Sequence, residues 1–211
     1  MAITSDTEIC NMTLSHLGSF GTANNIQVPV SQHEVHFARW YDVTRQSALR
    51  LAIPNFAKRR RLVAQKATAP VAGYSFAHEY PSDCLRVLGF GDIDEKDLRY
   101  NIEADANGDV EIQLDTDYST GGMPLRFIHN TTDVNKFTAD FKILFSWMLA
   151  ENVALPITQN LSIKKAIMEI LPGKISEFSG VNAQENPPTR KSTSKFKSAR
   201  SFNVIRNNEK R

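Results

Sequence analysis

Cysteine is nearly missing from this sequence: Cys10 and Cys84 are its two thiols in 211 residues. Two cysteines cannot build the disulfide framework of a small secreted scaffold, and they match no paired-cysteine metal motif. The opening MAITSDTEIC shows neither the basic nor the apolar part of a secretion signal, so reduced thiols in a cytosolic setting are expected. No apolar run approaches the length of a membrane span, and no repeat of fixed period appears. A glycine-rich phosphate loop is missing too. Gly89-Phe90-Gly91 follows a strand-like stretch but lacks a third glycine, and Asp92-Ile93-Asp94-Glu95 stands where a pyrophosphate would meet a helix N-terminus. A loop between antiparallel strands is the simpler expectation.

Strong net charge is also lacking: the formal total is +2. That excludes a uniformly basic nucleic-acid binder. The total hides an asymmetry, because residues from Ala183 onward carry eight Lys/Arg against two acids, a balance of +6 that leaves residues 1–182 at −4. A mildly acidic body with a basic tail is expected. With 23% charged and 41% hydrophobic residues the body reads as a globular domain large enough to need no metal or disulfide for stability.

Two capping boxes open the chain's helices. Ser5-Asp6-Thr7-Glu8 precedes Ile9, Met12, Leu14 and Leu17, predicting a helix over about 5–17 that stops at Gly18. Ser31-Gln32-His33-Glu34 precedes apolar residues at helical spacing as far as Pro54, predicting a second helix over about 32–52. Asn55 to Leu62 is expected to add a further helical turn or two. From residue 72 the period changes to two. Strands are expected at Tyr74–Tyr80, Cys84–Leu88, Leu98–Ile102, Val110–Leu114 and Pro124–Ile128, with Asn107-Gly108 marking a hairpin. Helical spacing returns over about 135–154, ended near Pro156, and over about 159–178, bent at Pro172. The expected fold is α+β: an antiparallel bundle of about four to five helices, a small antiparallel sheet inserted in it, and an extended C-terminal arm. Its parts are residues 1–70 (first half of the bundle), 71–133 (sheet), 134–182 (second half) and 183–211 (arm).

Few residues assemble into recognisable chemistry. His33 and His36 share a helix face, but no third ligand lies near them and their spacing is not that of a metalloprotease. Asp92, Asp94 and Asp97 lack the glycine of a calcium loop. Glu79, Asp83, Glu103 and Asp117 form no pair that the sequence singles out for hydrolysis. No catalytic residue, cofactor or metal is expected. Lys58-Arg59-Arg60-Arg61 is the densest basic run of the body. It fits a phosphate-facing cluster, a subunit interface pairing with a neighbour's acids, or a solvated helix face.

The tail holds too few large apolar residues to offset ordering about thirty positions at roughly 1–2 kcal/mol each. Yet Ser201 to Arg206 alternates like an edge strand, with Phe196 as an extra anchor. Phe196, Arg200, Phe202, Val204, Ile205 and Arg206 are therefore the expected contacts of an arm that orders on a partner.

Several stretches together resemble one family. Ile9-Cys10-Asn11-Met12-Thr13-Leu14-Ser15-His16-Leu17-Gly18 is similar to the opening CN.AL..LG helix of the head-to-tail adaptors of short-tailed bacteriophages, the tail tubular protein A group. Asn55 to Arg61 resembles that group's W.FARRR segment, with Pro54 where an aromatic is often seen. Tyr80 to Leu88, YPSDCLRVL, resembles LP.DCLRVL. Leu125 to Phe137, then Met148-Leu149-Ala150-Glu151 and Leu155-Pro156-Ile157-Thr158, resemble its last strand and penultimate helix. The likeness covers about residues 5–178.

The resemblance implies a structural virion protein, not an enzyme. Such adaptors form a dodecameric ring between the portal protein and the tail nozzle protein, with double-stranded DNA passing through without specific binding and no membrane involved. The resemblance further implies assembly in the host bacterial cytoplasm and an arm that runs onto the portal. The tail from Ala183 itself matches no motif. Two other readings stand beside this one: a nucleic-acid-binding module using Lys58–Arg61 and the tail, and a tail-associated peptidoglycan hydrolase.

Overall fold

The computed structural model describes residues 3–71, 73–91, 93–94 and 99–185. Helix α1 (Asp6–His16) starts at the expected capping box: Ser5 Oγ accepts from the Glu8 amide, and the Glu8 carboxylate accepts from the Ser5 and Thr4 amides. Helix α2 (Gln32–Ala52) repeats the device with Ser31 and Glu34 and ends at Ile53, held in the left-handed region at φ 49° just before Pro54.

Glu34 does more than cap. Its carboxylate accepts from the amides of Asn24, Asn25, Val30 and Ser31 at 2.7–3.2 Å. Those bonds, led by Ser31, hold its pKa down to about 2. Asn11 grips the same loop by accepting from the Ala23 amide and donating to the Ala23 carbonyl. Residues 19–30 are thus fixed without regular secondary structure, with Ala23 and Ile26 plugged into the core.

After a 3-10 turn at Asn55–Ala57 the chain enters strand β1 (Lys58–Val63). This corrects the expectation of more helix over 55–62. Residues 58–63 pair antiparallel with β7 (Met123–His129), and that distant partner, not local propensity, decides the conformation. The boundary of the first helical half moves from residue 70 to 57. Strands β2 (Phe76–Glu79), β3 (Cys84–Phe90), β4 (Ile93–Asp94), β5 (Tyr100–Ala104) and β6 (Val110–Leu114) follow. They form two sheets, β1-β7-β3-β4 and β2-β6-β5, where one was expected. The β5–β6 hairpin turns where Asn107-Gly108 predicts, with Gly108 at φ 89° and Asp105 Oδ1 accepting from the Asn107 and Asp109 amides.

One strand serves both sheets. Just past Val63, the Lys66 amide donates to Ala77 and the Glu79 amide to Ala64, so the chain leaving β1 pairs with β2. The sheets enclose a core of Val63, Val87, Phe90, Ile112, Leu114 and Phe127, and a Phe90–Tyr100 edge contact joins them. The two-residue alternation of β7 sends Phe127 into that core and its neighbour Ile128 into the helical one.

Helices α3 (Ala139–Thr158) and α4 (Leu161–Gln184) complete the bundle. α3 is buried on nearly every face and is the centre against which α1, α2 and α4 pack. It runs two residues beyond the expected stop at Pro156, and α4 reaches Gln184 with Pro172 inside it. The α+β architecture is as expected; residues 186–211, which hold the expected arm, lie outside the described residues.

His78 is the weak point of the sheet module. It is fully buried and neither ring nitrogen has a well-formed hydrogen bond among the described residues. Burial lowers its pKa, against the opposing pull of the poorly aimed Ile112 carbonyl and of Asp117. With a folded pKa below the unfolded one, its stability contribution is complete above about pH 6.5 and is lost as pH falls below that. His78→Leu should raise the melting temperature by roughly 2–4 °C per kcal/mol of relieved desolvation and flatten the loss between pH 7.5 and 5.5. Parallel melting curves for both proteins across that range would contradict this.

Candidate functional site

The basic run of the body sits on the edge strand β1, where alternation splits it between two faces. Arg59 and Arg61 share the face of Phe127 and Leu125, and Lys58 and Arg60 that of Ile128 and Arg126. It is therefore neither a solvated helix face nor a single basic surface.

Arg61 is engaged at home. Its guanidinium makes a two-pronged contact with the Asp83 carboxylate, at 2.9 and 2.6 Å, and lies over the Phe127 ring at 5.6 Å. Burial would raise the Asp83 pKa, but the Arg61 hydrogen bonds and charge outweigh it and hold the carboxyl below its usual range. Lys58 is half-buried, donates to Asn55 Oδ1 at 2.7 Å, and has its pKa lowered by burial and then by Arg126. Arg60 and Arg126 stand directly across from one another, with Arg126 donating to the Leu88 carbonyl. Arg59 is exposed; burial lowers the His129 pKa and the Arg59 charge adds to that, against the opposing pull of Asp83.

Asp83 leads to the residues that tie the sheets to the bundle. Its Oδ2 is 3.4 Å from His129 Nε2, and His129 Nδ1 is 3.1 Å from Thr131 Oγ1. Carboxylate, imidazole and hydroxyl thus stand in the order of a hydrolytic triad. Two features work against that chemistry: Thr131 is buried, and Asp83 is already committed to Arg61. The row ends on a clamp. Arg45, on α2 and 2% exposed, donates to Asn130 Oδ1 and the Thr131 carbonyl, both at 2.7 Å, while Asp42 Oδ1 accepts from its other nitrogens at 3.2–3.3 Å. The Asn130 amide in turn donates to the Asp83 carbonyl. Bundle, β7 and the start of β3 are thereby fastened at one point.

Sequence reasoning missed Arg45, Asn130 and Thr131. A signal was there: Arg45 lies between Tyr41 and Ala48 on the buried face of α2, where the helical period calls for an apolar side chain.

Elsewhere the acids are paired structurally. Lys66 Nζ donates to Asp105 and Glu111, and Gln113 donates to the buried Glu111, which accounts for a carboxylate inside the sheet module. His33 lies so close to Gly21 that a Cβ there would stand 2.7 Å from its Nδ1. Among the described residues no three His, Cys, Asp or Glu side chains gather as a metal site, and no helix is long and apolar enough to cross a membrane. Cys10 and Cys84 are buried with their thiol pKa values pushed up by burial. The arm residues Phe196, Arg200, Phe202, Val204, Ile205 and Arg206 fall outside the described residues. Comparison with protein-family models finds no match, and neither does comparison with curated protein sequences.

The two arginines should differ in worth. Arg45→Met keeps the stem and removes charged hydrogen bonds at a buried carbonyl, at a cost of roughly 1.5–3 kcal/mol. Arg61→Met breaks a partly exposed pair and should cost about 1 kcal/mol or less. Urea denaturation of both variants checks the order; equal midpoint shifts would contradict it.

Proposed function

We propose that the chain is a head-to-tail adaptor of a short-tailed bacteriophage, a structural virion protein whose ring joins the portal protein to the tail nozzle. The observation that carries the reading is where the family-like segments meet. The segment resembling W.FARRR supplies Arg61, and the segment resembling LP.DCLRVL supplies Asp83. These two form the two-pronged pair, 22 residues apart, and the stretch resembling the family's last strand supplies His129 and Asn130 beside them. Residues that would be unrelated in a chance likeness interlock in one place.

The architecture supports the same reading. A bundle interrupted by a sheet module can present one part to each of two neighbours: the helices side by side in a dodecameric ring, the sheets toward the nozzle. The basic residues beyond Ala183 then serve as the arm onto the portal. A body at −4 overall suits a channel through which double-stranded DNA slides without binding, since like charges weaken backbone contacts. On this reading the protein acts in the virion tail after assembly in the bacterial cytoplasm. The alternative of a nucleic-acid module loses ground because Arg61 and Lys58 are already held by Asp83 and Asn55.

Mass photometry of the portal ring from the same phage, mixed with the full chain or with a chain ending at Glu185, tests this. The full chain should add a discrete, saturating mass and the shorter chain should bind at least tenfold more weakly. Binding by neither would contradict the adaptor reading; equal binding by both would move docking from the arm to the body.

A further inference from the structure

One face of the β2-β6-β5 sheet concentrates carboxylates. The antiparallel register sets Glu79 on one side of Glu111 and Glu103 on the other, so three glutamates share a row across the strands. Like charges so placed cost stability. Asp105 and Asp109 stand at the hairpin end of the same sheet. Lys66 is the cation that reaches this group, and both its ion pairs go to Asp105 and Glu111. Glu79 and Glu103 are exposed and have no ion pair among the described residues. Arg99 sits at the other end of the sheet, over the Tyr74 ring at 5.3 Å.

A buried oxygen points to what is missing. Gln113 Nε2 donates to Glu111 Oε1 at 3.0 Å, which sets the Gln113 head within the carboxylate group. Its own Oε1, in a side chain 5% exposed, has no donor among the described residues. An unpaired carbonyl oxygen among carboxylates short of cations calls for a partner rich in N–H donors and positive charge. Glu79 and Asp109 also stand on the walls of a groove of about 800 Å³ that Leu62 and Val110, both exposed, make partly apolar. The cations on its walls, Arg61 and Lys66, are held by Asp83 and by Asp105 with Glu111.

The chain itself carries a segment of that chemistry. Arg190 to Arg200 holds five Lys/Arg and no acid, and Lys195-Phe196-Lys197 sets an aromatic between two cations. It also starts within reach. Glu185 accepts from Asn55 Nδ2 at 3.1 Å, so the chain beyond it departs from beside the start of β1. From Asn55 to Ala64, whose carbonyl accepts from the Glu79 amide, is at most about 30 Å, while Lys195 can lie ~33 Å beyond Glu185 and Lys197 ~40 Å.

We propose that residues 190–200 dock on this sheet face of their own chain, with Phe196 against Leu62 and Val110 and the flanking lysines toward Glu79 and Asp109. Charge complementarity selects the segment, and tethering favours the chain's own copy over another's. A short tether gives an effective concentration on the order of 1 mM, so a contact with a free-peptide Kd of about 0.1 mM is closed roughly ten to one. The contact goes beyond the adaptor reading and does not depend on it. Under that reading the same segment is the portal arm, and the sheet face holds it back until a portal competes for it.

A nitroxide on Ser194→Cys in the full chain tests this, with the buried Cys10 and Cys84 unreactive. At ~0.1 M salt the amide signals of Glu79 and Asp109 should broaden, and the effect should fall at least fivefold at ~1 M salt, where screening is complete within ~3 Å. Glu79→Lys with Glu103→Lys should abolish it, and adding Lys195→Glu and Lys197→Glu should restore it. Both glutamates are exposed, so each variant should melt within a few degrees of wild type. No broadening in wild type, broadening indifferent to the charge swap, or broadening carried between chains in a mixture of labelled and unlabelled copies would each overturn the proposal. Portal binding measured in parallel separates the two readings. Freed of the sheet face, the Glu79→Lys and Glu103→Lys chain should load onto the portal about tenfold more tightly. Broadening with no portal binding by any form keeps the contact and sinks the adaptor; portal binding without broadening does the reverse.

Discussion

A guanidinium buried inside a protein must be fully satisfied or it destabilises what surrounds it. Arg45 meets that condition only because Asn130 and the Thr131 carbonyl come to it from the end of β7 and Asp42 from its own helix. The seating of the sheets on the bundle follows from this requirement. With the end of β7 fixed on α2, β7 places Ile128 in the helical core and Phe127 between the sheets. β1 and β3 then flank β7, and Arg61 and Asp83 meet across it. The clamp draws its strength from the buried Arg45 guanidinium held by Asn130 and the Thr131 carbonyl, while its Asp42 partner is exposed; the Arg61–Asp83 pair, closer to water, adds geometry more than free energy.

β1 carries a second constraint. It pairs with β7 along 58–63 and its continuation pairs with β2, so the same strand that closes one sheet starts the other. Edge positions with charged side chains resist pairing with other chains, and alternation sends Arg59 and Arg61 to one face of the sheet, where Arg61 reaches Asp83, and Lys58 and Arg60 to the other. A cluster conspicuous in the sequence therefore performs mostly internal work.

The elements coded by nearby residues were legible. Both capping boxes place their helices to within a residue, and Asn107-Gly108 places its hairpin. What escaped depends on partners far apart in the chain. Lys58 to Arg61 has no apolar period of its own, and Leu125 to Ile128, more than sixty residues away, makes it a strand. The split into two sheets has the same origin, because alternation tells which face a residue takes but not which neighbour it pairs with. Pro156 does not end α3, which runs on to Thr158 packed against α4, and Pro172 lies inside α4 as expected of one continuous helix. At the candidate site, Arg61 and Asp83 were visible as residue types in motifs, whereas their mutual contact and the Arg45 clamp needed the fold.

The central claim is that this fold is a ring-forming link between two other assemblies. Electron cryomicroscopy of portal rings saturated with the full chain addresses it most directly. The account predicts a second ring under the portal, one helical bundle per portal subunit in lateral contact, with the sheet modules on the far side from the portal. Portal rings without added density, or isolated copies scattered on them without lateral contact, would contradict it.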